Sequence, residues 1–321
     1  MTSIRAIKSI VGRELYAYLF SPVAYVFIAL FLGLVGCFTF FLGRFFDAGQ
    51  ATLEPFFIWH PWLFMMLVPA IGMRIWSEEK RNGTMELLLT LPLNQWHAVV
   101  GKYIAGAILL LVALLLTLPV PLTVNYLGDP DWGVIATSYL GSFLVATAFL
   151  AVSCMTSAMT RNQVVSFIIS LCVCLFLILS GYDLVTDAIR NKGAVPYALM
   201  FIIAYGVIWG LLALLVASCS NMFKNLGEGG MLWALAIGIS LVSAVICVGF
   251  MYLLQGGILG MFEGGTPEWV VDAAAGFSVS PYYYDSLVKG IVDTRAMVYF
   301  ASLIAFCLIT CNVILTQRRA Q

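Results

Sequence analysis

Side chains able to do chemistry are scarce in this chain, and the densest group lies between residues 74 and 102. A charged patch, Glu78, Glu79, Lys80 and Arg81, comes first. Asn82, Gly83 and Thr84 then form a turn signal with Thr84 placed as a helix N-cap, and a short helix carrying Met85, Leu87, Leu88 and Leu91 follows until Pro92 stops it. This pattern serves recognition and not bond-making: a short amphipathic helix flanked by both signs of charge fits a groove on a soluble partner. The same helix also suits a lipid surface. The residues alone leave both readings open.

The remaining candidates are isolated. Cys307 and Cys311 share a helical face, but no histidine or carboxylate is near them in sequence, and all eight cysteines sit in charge-free runs where Cys behaves as a small apolar residue. His60, in Trp59-His60-Pro61-Trp62, reads as part of an aromatic belt at a membrane interface. Gly101-Lys102 has Trp96 where a phosphate loop needs its first glycine, so the chain carries no Walker-type loop. Leu179-Ser180-Gly181 imitates the start of an ATPase motif by chance, since it ends an apolar run. No cluster suits a catalytic site, a metal or a bound cofactor, and the chain is expected not to be an enzyme.

The elements that must carry these residues are membrane helices. Eight stretches lack Asp, Glu, Lys and Arg: 15–43, 55–73, 103–128, 132–160, 162–182, 193–223, 229–262 and 296–317. About 18 or more uncharged apolar residues are enough to cross a bilayer as a helix. Composition agrees, with 62% apolar and 10% charged residues and a mean hydropathy of +1.00. The longest pieces between runs, 74–102 and 263–295, are too short to bury a core of their own. An all-α polytopic membrane protein is expected, 1–321 as a single membrane domain with about eight spans, an N-terminal interfacial helix over 1–22 and a short helix inside 74–102. The runs 193–223 and 229–262, at 31 and 34 residues, exceed a straight crossing, so tilt, a break or an interfacial part is expected there. Gly206 and Gly210, and Gly256 and Gly260, have the spacing that lets such helices approach closely.

Charge placement sets the expected orientation. With both termini in the cytoplasm, the inside holds Arg5, Lys8, Arg13, Arg74, Lys80, Arg81, Lys102, Arg161, Lys224, Arg318 and Arg319, while the outside holds Arg44, Arg190, Lys192, Lys289 and Arg295. Eleven against five satisfies the positive-inside rule and puts 263–295 outside. The first apolar run is too long for a cleavable signal peptide, and an amphipathic segment precedes it. In that segment Ile4, Ile7, Ile10, Val11, Leu15, Tyr18 and Leu19 form one arc, opposite Arg5, Ser9, Gly12 and Arg13, with Lys8 at the border. Such a helix is expected to lie in the membrane plane, basic face to the headgroups, with Ser21-Pro22 as the bend into the first span. No net charge points to nucleic acid as a partner.

Three segments together resemble permease subunits of ABC type-2 transporters, most closely the gliding-motility-type branch. The first runs from Arg74 through Trp76, Ser77, Glu78, Glu79, Lys80, Arg81, Asn82 and Gly83 to Pro92, with Gly101-Lys102 after it. The second is Gly12-Arg13-Glu14-Leu15 with Phe20-Ser21-Pro22-Val23-Ala24-Tyr25, similar to the branch's interfacial helix entering the first span. The third is Ser280-Pro281, Asp285-Ser286-Leu287, Gly290-Ile291-Val292-Asp293 and Tyr299-Phe300, similar to its approach to the last span. The resemblance covers roughly residues 1–182 and 276–321, and the runs between them add a pair of spans to the branch's usual set.

The resemblance implies a transmembrane subunit of a bacterial inner-membrane exporter, driven by a separate ABC ATPase dimer that binds ATP and Mg. It also implies a second permease copy or paralogue and an extracytoplasmic partner. Glu78, Glu79 and Lys80 would lead into the ATPase-coupling helix, with Thr84, Met85, Leu87, Leu88 and Leu91 at the contact; Arg5, Lys8, Arg13 and Glu14 would belong to the interfacial helix, against membrane lipid. Glu78 and Glu79 are expected to anchor the coupling segment to a basic group of the N-terminal helix such as Arg13. The alternatives are a non-transporting membrane scaffold, which needs no docking helix, and an ion-coupled transporter, which needs charges inside the spans that this chain lacks. An uncharged interior suits an apolar or amphipathic cargo, while the family also moves polysaccharides and peptides or transmits force.

Overall fold

The computed structural model describes residues 3–45, 52–83, 95–181 and 276–319, which are helical and without a strand. The chain divides into two compact units, Met1–Ile178 with Val279–Gln321, and Leu179–Ser278. The two longest charge-free runs fall in the second unit and, with their paired glycines, lie outside the described residues.

Helix α1 is Ser3–Leu19, and Pro22 opens α2, Pro22–Cys37, at the position where a missing N–H costs nothing. Helix α2 runs into a π-helical turn, Phe38–Leu42. Span two is a relay of three pieces: α3, Glu54–Phe57, α4, His60–Gly72, and α5, Arg74–Asn82. Pro61 and Pro69 interrupt its hydrogen bonding without ending it. Its 29 residues would extend about 43 Å, against a hydrocarbon layer of about 30 Å, so the charged patch is carried on a helix projecting from the span. Gly83 ends it in the left-handed region, φ 70°, with its N–H on the Glu79 carbonyl.

Helices α6, Gln95–Leu115, and α7, Pro119–Leu127, build the next crossing. Helix α8, Trp132–Met159, follows, its first turn capped by Asp131 Oδ1 at 2.8 Å from Gly133 N and 3.4 Å from Val134 N. Next come α9, Gln163–Leu179, then α10, Ser280–Tyr282, running into a π-helical turn, Tyr283–Leu287, and α11, Thr294–Arg319. Among the described residues five helical stretches are long and apolar enough to cross a membrane: Ala24–Leu42, Glu54–Asn82, Gln95–Leu127, Trp132–Met159 and Thr294–Gln317. These are the first four charge-free runs and the last. The fifth run gives α9, an apolar helix of 17 residues.

Helix α8 is the central post of the first unit because its residues are small where neighbours press closest. Between Val145 and Ala158 nearly every side chain is buried. At Gly72 a Cβ would stand 2.2 Å from the Ser153 Cβ, and at Gly141 one would stand 2.9 Å from the Leu287 Cβ. Serines on this post meet no water and turn inward: Ser153 donates to the Phe149 carbonyl at 2.7 Å and Ser138 to the Val134 carbonyl at 2.7 Å.

Candidate functional site

The charged side chains converge where α1, α5 and α6 meet. Lys102, on α6, has a side chain only 4% exposed, and its Nζ lies 2.8 Å from Glu79 Oε1 of α5 and 3.2 Å from Glu14 Oε1 of α1. It also stands 5.3 Å from the centroid of the Trp76 ring, which places a cation against an aromatic face. Arg13 closes the chain of charges from the surface, 2.8 Å from the same Glu14 oxygen. Two cations and two carboxylates therefore sum to zero, which lets a lysine stay charged while buried.

Close backbone approach makes this possible. Gly101, just before Lys102, faces α1 so tightly that a Cβ there would meet Ile10 Cγ2 at 2.8 Å. Ala6 and Ile10 are buried along that contact, while Arg5, Lys8 and Arg13 stay exposed. Part of the apolar arc expected to lie in lipid is thus used against α6, and Glu14 rides on the inner side. Burial pushes the Glu14 carboxyl up, but the Lys102 charge and the hydrogen bonds from Arg13 and Lys102 outweigh it and hold it below the usual carboxylate value.

Helix α5 is also tied to the post. Ser157 Oγ accepts from the backbone N–H groups of Trp76 and Ser77, each at 3.0 Å, and donates to the Met73 carbonyl at 2.8 Å. One hydroxyl thereby serves the amides and carbonyl loosened at the α4–α5 joint. Trp76 Nε1 donates to Cys154 Sγ at 3.2 Å, and Lys80 Nζ donates to the Ala158 carbonyl at the end of α8, where helix carbonyls lack partners.

The expected site residues therefore separate. Glu14 and Glu79 come together, but on Lys102. The expected tie from the acidic pair to Arg13 is replaced, because Arg13 points outward, 57% exposed, and pairs with Glu14. Lys80 holds the end of α8, and Glu78 is half-buried on α5. Thr84, Met85, Leu87, Leu88 and Leu91 lie outside the described residues. Lys102 was legible as a topogenic charge and as the Gly101-Lys102 pair after the family-like stretch, but not as a site residue; its signal was a lone lysine after a glycine at the very edge of a charge-free run.

His60 lies near the start of span two among aromatics, as expected, and the protein encloses its ring. The ring is fully buried among Phe31, Phe56, Phe57 and Phe64, with centroids 4.8 to 6.0 Å away, and its Nδ1 lies 2.8 Å from Ser142 Oγ of α8. Cys154 and Cys311 sulfurs lie 3.8 Å apart, and no group of three metal-ligating side chains converges among the described residues.

A bundle of apolar helices around a small-residue post, with a charge-paired joint at the base of one interhelical segment, defines a polytopic membrane subunit. The chain belongs to the ABC-2 transporter family: the model of the ABC-2 family transporter protein matches residues 61–311, from α4 into α11. It is a transmembrane permease of an ABC transporter, a class that works with a partner ABC ATPase. Comparison with curated proteins returns no match.

Proposed function

We propose that this chain is the permease of a bacterial inner-membrane ABC exporter of the gliding-motility-type branch, and that the Lys102 joint couples its ATPase to the spans. The carrying observation is that one buried ammonium binds both flanks of segment 84–94: Glu79 lies five residues before it and Lys102 eight residues after it, with Glu14 of α1 as the third party. A push on that segment would reach α1 and α8 together, through Lys102 on one side and through Ser157 and the Lys80 contact on the other. The ATPase dimer supplies the ATP and Mg chemistry, and this chain contributes no catalytic group of its own. The basic bias of one side supports cytoplasmic termini, and a second permease copy or paralogue completes the pair that a two-nucleotide motor drives.

Met85, Leu87, Leu88 and Leu91 are the side chains assigned to the motor's groove, where truncating a well-buried interface residue commonly costs about 1 to 4 kcal/mol. Leu88→Ala with Leu91→Ala is therefore expected to weaken co-purification with the ATPase. Lys102→Met is expected to leave the complex assembled but lower the permease-dependent part of its ATPase rate. If the leucine variant co-purifies at wild-type level with wild-type turnover, the segment is a lipid-surface helix and the coupling assignment is wrong.

A further inference from the structure

His60 starts a hydrogen-bonded chain that the coupling reading does not use. Its Nδ1 lies 2.8 Å from Ser142 Oγ, that oxygen lies 2.9 Å from the Tyr283 hydroxyl, and the Tyr283 hydroxyl lies 2.8 Å from the Phe57 carbonyl. All three side chains are buried in the first unit. They tie span two, α8 and the π-helical turn before the last span to one another.

The protons in this chain can be counted. A carbonyl only accepts, so the Tyr283 proton must point at Phe57. That carbonyl needs an outside donor, because Pro61, four residues on, has no N–H to return to it. Having used its proton, the Tyr283 oxygen can only accept from Ser142. Ser142 in turn has one proton, now committed, and can only accept from His60. The imidazole must therefore carry its proton on Nδ1. Its Nε2 is left without a hydrogen-bond partner among the described residues, inside a wall of phenyl rings. A charged ring there would lose its hydration with no anion in return, so the ring is neutral.

We propose that Tyr283 is a positioning residue for His60: the hydroxyl relay from the turn before the last span fixes the imidazole as its Nδ1–H tautomer, so that the junction of three segments closes in one proton register only. The relay reports where the turn stands. If the turn withdraws Tyr283, the Ser142 proton is no longer committed and can point at His60 Nδ1, which opens the Nε2–H tautomer that the closed relay forbids. Solvent exchange supplies and removes the proton, so none is gained or lost overall.

The chain has two histidines, His60 and His97, which makes the register measurable. The full-length protein, labelled on histidine with an NMR-active nitrogen isotope and reconstituted in lipid, should show His60 neutral with a protonated Nδ1 and a bare Nε2, His97→Gln assigning the signals. Tyr283→Phe should let the proton move to Nε2, while Tyr284→Phe, which removes the neighbouring hydroxyl and its 3.0 Å bond to the Ile58 carbonyl, should leave the register unchanged. Ser142→Ala cuts the relay at its centre and should also release Nδ1, so the relay stays testable, together with the wild-type register, if Tyr283→Phe does not fold. A wild-type His60 protonated on Nε2, or on both nitrogens, overturns the assignment. A register that survives Tyr283→Phe overturns the role given to Tyr283, and one that survives Ser142→Ala overturns the relay itself.

Discussion

The Lys102 joint and the His60 relay are both buried polar assemblies leaning on α8, the first at Cys154 and Ser157, the second at Ser142. Twelve residues, about 18 Å of helix, separate Ser142 from Cys154. The joint is built from full charges and borders two charge-free runs at Glu14 and Lys102; the relay is neutral, with His60 and Ser142 inside two other runs and Tyr283 from the turn before the last span. The difference follows from what burial costs. An ion in a low-dielectric medium is retained only with paired charge and satisfied bonds, and four groups summing to zero provide that where α1 meets α5 and α6. Hydroxyls and a neutral imidazole need only partners, which three helices bring together without any charge.

The largest effect expected from this contrast is at Lys102. Lys102→Met leaves Glu14 and Glu79 without their shared cation, Glu14 keeping only the exposed Arg13, and breaking a buried ion pair costs on the order of 3 kcal/mol. Neutralising both carboxylates in the same chain, as Glu14→Gln and Glu79→Gln, is expected to recover most of that loss, since it is stranded charge that is expensive. Ser142→Ala, which strands only neutral groups, is expected to cost about 1 kcal/mol, in keeping with interhelical hydrogen bonds in membranes. Thermal unfolding in one detergent compares all three. A Ser142→Ala loss larger than that of Lys102→Met would reverse the comparison.

Next in size are the glycines that let each assembly close. Gly101→Ala forces a Cβ to 2.8 Å from Ile10 Cγ2, and Gly141→Ala forces one to 2.9 Å from the Leu287 Cβ and 3.3 Å from the Tyr283 ring. Overpacking of this kind costs about 1 to 3 kcal/mol. The two variants are expected to fail differently: the first frees α1, detected as faster hydrogen exchange over Ser3–Leu19, and the second loosens the turn at Tyr283–Leu287. Identical exchange maps would mean that the two assemblies are one mechanical unit.

The same contrast decides what the sequence makes legible. Charge-free runs announce the spans, because a solvent that hydrates nothing excludes charge from any helix crossing it. Gly83 likewise marks where α5 must stop. Glu14 was visible as a carboxylate at the edge of a run and Glu79 within the charged patch, but their meeting on Lys102 depends on Gly101 admitting α1, a three-dimensional fact with no periodicity behind it. Trp76 and Ser157, 81 residues apart, carry no mutual signal in the chain. His60 was legible as a histidine among aromatics near one end of span two, but its cage was not, since Phe31 comes from another span and Phe56, Phe57 and Phe64 from three-dimensional closure of span two around the ring. Serines such as Ser142 are common on transmembrane helices, so nothing singles out the one that accepts from a histidine.

The smallest effect separates the assemblies by pH. Glu14 is held below the usual carboxylate value in the folded chain, so its ionised form binds the fold more tightly than its protonated form. That contribution is complete above the unfolded carboxyl value, near about 4.3, and is lost as pH falls through the lower, folded value. With Lys102 nearly buried and Arg13 largely in solvent, a magnitude of about 1 kcal/mol is expected, most of it from the hydrogen-bonded lysine, since the exposed arginine pair adds about 0 to 1 kcal/mol and is screened by salt. The difference in melting temperature between wild type and Glu14→Gln should be constant from pH 8 to about pH 5 and shrink below pH 4. The relay contains no carboxylate, so the difference between wild type and Ser142→Ala should stay constant over the same range. A Glu14→Gln difference that persists undiminished at pH 3 would show that Glu14 acts through packing against α6 and not through its charge on Lys102, and the joint would then be as neutral in effect as the relay.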